Sequence, residues 1–195
     1  MTPQLKHLFA FAVLSLGAPL IAQSAAWQID PAHSTVLFTV RHLGVSNVHG
    51  SFTNIAGTVN IDDKDITKSS VEATIDTTTV NTDNPDRDKD LKSPHFFDVA
   101  KYPTATFKSK QVINSAGKLQ VIGTLTLHGV SKDVTLDLEQ PSKIVTAMGK
   151  QRRGLSGSTT LNRRDFGLVS GGNLPSGDAM IGDTVKVTLE VELIQ

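Results

Sequence analysis

From Val185 to Leu193 the chain alternates without a break: Val185, Val187, Leu189, Val191 and Leu193 are apolar, and Lys186, Thr188, Glu190 and Glu192 between them are polar. A period of two sends successive side chains to opposite faces of a strand, so this segment has one dry face and one wet face. That pattern belongs to antiparallel sheet, because parallel strands are covered on both sides. Val71, Ala73 and Ile75 alternate in the same way with Glu72, Thr74 and Asp76, as do Val134, Leu136 and Leu138 with Asp133, Thr135, Asp137 and Glu139. Further strand-forming runs cover 56–61, 104–113, 118–128 and 153–162, divided by turn residues such as Asn114-Ser115-Ala116-Gly117. The total comes to about eight strands, which leaves a choice between sandwich and barrel. An eight-stranded barrel has room for packed side chains or for one small ligand.

The first 26 of the 195 residues have the form of an export leader. Lys6 and His7 supply a positive start, Leu8 to Leu16 an apolar run, and Ser24-Ala25-Ala26 a small-residue cleavage site before Trp27. The expectation is an exported protein, most simply periplasmic, with residues 27–195 forming one domain. No cysteine is present, so neither disulfide staples nor a lipid anchor on cysteine contributes. The formal net charge is zero and the charges are interspersed, which argues against nucleic acid as a partner. No segment after the leader approaches the length of a membrane-spanning helix.

Residues 77–103 interrupt the strand pattern. Asn84 suits an N-cap, Pro85 the first helical position, and Asp86 and Asp88 the positive end of a helix dipole, so a short helix is expected near 85–92, stopped by Pro94. The run Asp86-x-Asp88-x-Asp90 resembles the start of a calcium loop. Leu91 stands where that loop needs glycine and Phe97 where it needs glutamate, so an acidic helix start is the better reading.

In the stretch HSTVLFTVRHLG, residues 33–44, counting by twos from Val36 through Phe38 and Val40 brings His42 to the apolar side. His33, His49, His95 and His128 are the other histidines after the leader. None forms a helical His-Glu-x-x-His or a tight His-x-His pair, so structural roles outweigh metal, with His33 read as a turn residue and His128 as a rim residue. A nucleophile elbow is missing, and the glycine-bearing segments at 154–157 and 167–172 do not lie between a parallel strand and a helix. The residues therefore give an enzyme almost no support, and no catalytic residue or metal ligand is assigned. In NRRDFG, residues 162–167, an Arg-Asp pair closing a barrel mouth is favoured over a guanidinium that receives a polar head. Phenylalanines fall in separate segments, while Ala73, Thr77, Ala105, Ser109, Gly157 and Thr159 on the inward faces leave less filling than a solid barrel wants.

Four stretches together resemble the YceI-like polyisoprenoid-binding proteins: WQIDPAHSTVLFTVRHLGVSNVHGSF, RDKDLKSPHFFDVAKYPTATFKS, GTLTLHGVSKDVTL and LNRRDFGL, in the family's order and spanning residues 27–195. The resemblance implies an all-β fold, an extended antiparallel eight-stranded lipocalin-like barrel with one short helix and an apolar tunnel for an isoprenoid chain. It also implies frequent export and frequent dimers. One departure stands out, since Asp90 occupies a position where the family usually has histidine. That weakens a metal reading and makes the mouth more acidic.

The combined expectation is a non-enzymatic periplasmic lipid carrier holding a polyprenyl or quinone tail, with no other cofactor and with a homodimer allowed. The ligand-binding residues expected are Phe38, Val40, His42, Phe52, Ile75, Phe96, Phe97, Phe107, Leu125, Leu127, Arg164 and Phe166. A stress-induced binder of fatty acids or fatty amides is the alternative, and a histidine-dependent metal protein or enzyme a more distant one. Leu37 is expected to point outward, under the helix or a partner.

Overall fold

A computed structural model describes residues 25–195. The expected leader, residues 1–26, lies outside the described residues apart from Ala25 and Ala26, which pair with Ile61 and Asn60. Eleven strand segments occur: β1 (Ala25–Ile29), β2 (Thr35–His42), β3 (Ser46–Phe52), β4 (Ile55–Ile61), β5 (Ser70–Asp76), β6 (Thr104–Ser115), β7 (Lys118–Leu127), β8 (Val130–Leu138), β9 (Val145–Ala147), β10 (Lys150–Asn162) and β11 (Ile181–Ile194).

Every pairing is antiparallel, in the order β3-β2-β11-β1-β4-β5-β6-β7-β8-β10-β9, and an additional β10–β11 ladder closes the ring. β1 and β2 both pair with β11, at its end and its start respectively, and act as one strand bent at residues 30–34. β3 and β4 likewise form one strand, bent at Thr53 and Asn54, that runs beside the first. β9 adds only a short hairpin to β10. The molecule is thus an eight-stranded antiparallel closed barrel with one α-helix. Closure removes the exposed edges that an open sheet of this size would present.

The alternation read at 185–193 accounts for the longest ladder, where β10 matches β11 residue for residue from Arg152↔Ile194 to Asn162↔Thr184. A slip of one residue would turn Val185 to Val191 outward, so the apolar face fixes the register.

The helix α1 spans Pro85–Lys92, as its cap predicts. Asn84 accepts from the Arg87 N–H at 3.0 Å, Pro85 opens the helix, and Asp86 and Asp88 lie in its first turn. Asp88 also reaches back, accepting from the Thr82 N–H at 2.8 Å and its hydroxyl at 2.6 Å, which ties the helix to the strand bridge Ser51↔Asn81. α1 and the segment after it overlie one end of the barrel.

The other end is filled. Trp27 and Leu193 are essentially inaccessible and Ile61 and Leu119 nearly so. The Arg153 guanidinium lies 6.0 Å from the Trp27 ring and is held by Asp63 and the Ser142 carbonyl. Among the described residues no helix is long and apolar enough to cross a membrane.

Candidate functional site: an apolar tunnel

The side chains that alternation sends inward do not meet at the barrel centre. They enclose a cavity of about 250 Å³ running from Val191, Leu155 and Leu138 at the filled end to Phe166, Leu168 and Ile181 at the other. Along β11 the lining extends from Ile181 to Val191, roughly 33 Å of strand. With the usual barrel tilt this is an axial length of roughly 25 Å. The space is therefore long and narrow rather than rounded.

Each strand of the closed ring, β9 excepted, contributes its dry face. Val36, Phe38 and Val40 come from β2, Ala73 and Ile75 from β5, Ala105 and Phe107 from β6, and Leu125 and Leu127 from β7. Beyond the strands, Leu91 of α1 with Phe96 and Phe97 covers the barrel end. Phe97 meets Phe52 edge-on at 5.4 Å between ring centres, and Phe52 meets Phe38 at 5.5 Å. These contacts link the covering segment to the wall in the arrangement aromatic rings prefer.

Among the described residues, only three that line the cavity carry polar groups, namely Thr77, Thr159 and Arg163. The Thr77 hydroxyl donates to the Tyr102 carbonyl and the Thr159 hydroxyl to the Thr135 carbonyl, each at 2.7 Å. Arg163 is buried, and its guanidinium donates to the backbone carbonyls of Leu168, Ser170, Ile181 and Gly182 while lying 3.0 Å from Asp183. Burial pushes its pKa down and Asp183 opposes that shift. A guanidinium stays charged under such a perturbation. All three polar side chains thus donate to the protein's own backbone, which leaves the bore a hydrocarbon surface.

Ten of the twelve residues singled out from the sequence line this cavity: Phe38, Val40, Phe52, Ile75, Phe96, Phe97, Phe107, Leu125, Leu127 and Phe166. Two do not. Arg164 lies outside, half-exposed, with its Nε donating to Asp183 at 2.7 Å, because the 3-10 turn Arg163–Phe166 directs adjacent side chains apart. Its neighbour Arg163 takes the inward position. Two adjacent arginines in a sequence give no signal as to which is buried, since the turn alone decides it.

His42 continues the face of Val36, Phe38 and Val40 but falls one step past the tunnel. It lines a shallow outer depression with Asp90, His95, Ser170, Gly171 and Met180, and Phe96 and Ile181 are walls of both spaces. His95 Nδ1 lies 3.2 Å from Asp90 Oδ1, and the Ser170 hydroxyl donates to the His95 carbonyl. Among the described residues no hydrogen bond reaches the His42 ring. Of the small inward residues, Ala73, Thr77, Ala105 and Thr159 border the cavity. Ser109 does not, since its hydroxyl accepts from the Val71 N–H at 2.8 Å beside a register shift in β6. Leu37 points outward and is partly exposed.

His33 takes a turn position, with Nδ1 2.9 Å from Asp30 Oδ2. Asp30, His33 and Glu192 bring three potential ligand atoms within 4.8 Å of one another. A cation already stands among them, since Arg152 Nη1 donates to both Asp30 and Glu192. The hydrogen bonds of His33, the Ala32 N–H and Arg152 hold the Asp30 carboxyl below its ordinary range. The cluster reads as an ion-pair clasp joining the β1–β2 bend to β10 and β11. His128 packs edge-on against Tyr102 at 4.7 Å and lies 3.2 Å from the Phe166 carbonyl, at the rim.

The chain is 40% identical over 167 residues to a UPF0312 protein of Vibrio parahaemolyticus, covering 84% of this chain and 88% of that one. The solved Campylobacter jejuni YceI protein superposes with a TM-score of 0.66 at 31% identity, covering 80% of this chain and 89% of that one. A polyisoprenoid binding domain from Saccharophagus degradans, implicated in plant cell wall breakdown, shares the fold with a TM-score of 0.63 at 20% identity, covering 86% of this chain and 97% of that one. The family model described as the YceI-like domain matches residues 27–193, so the chain belongs to the YceI-like family.

Proposed function

We propose that this protein is a non-enzymatic carrier of a long hydrocarbon chain, an isoprenoid such as a polyprenyl or quinone tail, held in the barrel tunnel with its polar end at the His42 depression. The observation that carries this reading is the bore itself: every polar side chain on its wall already donates to a backbone carbonyl. A ligand body with hydrogen-bonding groups would lose its water there and gain nothing in exchange. A hydrocarbon gains about 0.8 kcal/mol for each methylene buried, so a long chain supplies affinity by itself. It supplies little discrimination, and the head must be sorted at the mouth.

The Saccharophagus degradans domain described as binding polyisoprenoid has the same fold, which supports the ligand class. The leader-like pattern of residues 1–26 supports export to the periplasm as part of this reading. A homodimer is compatible with the exposed Leu37 on the outer face of β2. Fatty acids or fatty amides would enter the same bore and differ at the head.

Native protein purified from its host without detergent, extracted and analysed by lipid mass spectrometry, should yield a stoichiometric isoprenoid. Recovery of fatty acyl species instead would favour the second ligand class, and recovery of no lipid would overturn the proposal.

A further inference from the structure

Gly50 pairs with Phe38 across the β2–β3 ladder, and in an antiparallel pair both positions face the same side. A methyl group at Gly50 would stand 2.2 Å from Phe38 Cζ, 2.7 Å from Phe38 Cε1 and 2.8 Å from Thr82 Cγ2. The Phe38 ring thus lies in the space a side chain at 50 would occupy. All three neighbouring atoms belong to side chains, so the close approach involves the ring and Thr82 rather than another strand's backbone. Thr82 is buried and anchored by Asp88 and Arg87, so it cannot yield. The ring is then the group that must give way, and the open space beside it is the cavity it lines.

We infer that Gly50 is a specificity-determining position: it forms a niche that keeps the Phe38 ring flat against the wall, and so sets the bore for a methyl-branched rather than a straight chain. The inference rests on the tunnel being the hydrocarbon site. A straight alkyl chain is uniformly thin, whereas an isoprenoid carries methyl groups at regular intervals and needs the wider bore throughout. Phe38 is half-buried because it faces the cavity, and a ring swung inward would narrow the passage at that point. A ring displaced into the bore takes up width that a bound chain would fill, and overfilling an apolar site is costly. Gly123 also lies close to the Phe107 ring, though it pairs with Ser109 rather than with Phe107, and a methyl there would also stand 2.5 Å from the Lys108 carbonyl oxygen, so Gly50 gives the cleaner test.

The test uses delipidated protein and two alcohols of equal backbone length, geranylgeraniol with methyl branches and hexadecanol without them. Binding of each radiolabelled alcohol is measured over a concentration series by retention on gel filtration. The wild type binds both. Gly50→Ala weakens geranylgeraniol about tenfold more than hexadecanol, the effect of roughly one misplaced methylene in an apolar pocket. Adding Phe38→Ala to that variant restores geranylgeraniol. Phe38→Trp, which keeps Gly50 and enlarges the ring, shows the same branched-chain loss and carries the test if Gly50→Ala does not fold. Equal weakening of both alcohols, or of neither, in the folded variants overturns the inference. Failure of the wild type to take up either alcohol is a different result, one that removes the tunnel reading and the inference together.

Discussion

Arg163 and Arg164 show how much one position matters. Adjacent in sequence and identical in chemistry, one holds four backbone carbonyls inside the barrel mouth while the other pairs with Asp183 at the surface. Gly167 adopts a left-handed conformation with φ of 73°, which lets the chain turn back so that the Leu168 and Ser170 carbonyls face Arg163. Arg163→Ala should therefore lower stability by about 3 kcal/mol or more, since stranded buried acceptors each carry a desolvation cost. Urea unfolding of the two alanine variants checks this, with Arg164→Ala expected to stay within about 0.5 kcal/mol of wild type. His42 behaves differently, because it lies outside the bore. His42→Leu should change which head groups are retained, read by mass spectrometry of bound lipid, while leaving total chain uptake close to wild type.

The legible elements were those whose signal is local. Helix α1 has its N-cap, its opening proline and its first-turn carboxylates within five residues, Asn84 to Asp88, and forms where they indicate. Asn84→Ala should cost about 1 kcal/mol and loosen the Leu91, Phe96 and Phe97 cover, measured as a lower unfolding midpoint and faster hydrogen exchange over residues 85–97. β5, β8 and β11 were equally legible from alternation. β3 was not, since SNVHGSF has a short polar pattern with a glycine where an apolar residue would mark the face. The reason for that glycine lies on another strand, in the Phe38 ring, and no local pattern can express it. β9 escaped for a similar reason, being three residues that pair with nothing but β10.

At the scale of the whole molecule, the barrel has a filled end and a covered end, with an apolar bore between them. A ligand bound only by the folded barrel stabilises it by mass action, by about 2.7 kcal/mol at one hundred times its dissociation constant. Stripping lipid from the purified protein should accordingly lower the urea midpoint, and returning a polyprenol should restore it. An unchanged midpoint would mean that the bore contributes nothing to binding. The sequence by itself determined the all-β, antiparallel class, the helix at 85–92 and most of the wall residues, because alternation and capping are short-range and each is written within a few residues. Only the tertiary structure decided that the inward faces stop short of one another, that Arg163 rather than Arg164 turns inward, and that His42 falls beyond the tunnel. Those depend on strand tilt, on closure of β10 against β11 and on the volume left when many separate side chains meet, and such sums exist only once the ring is closed.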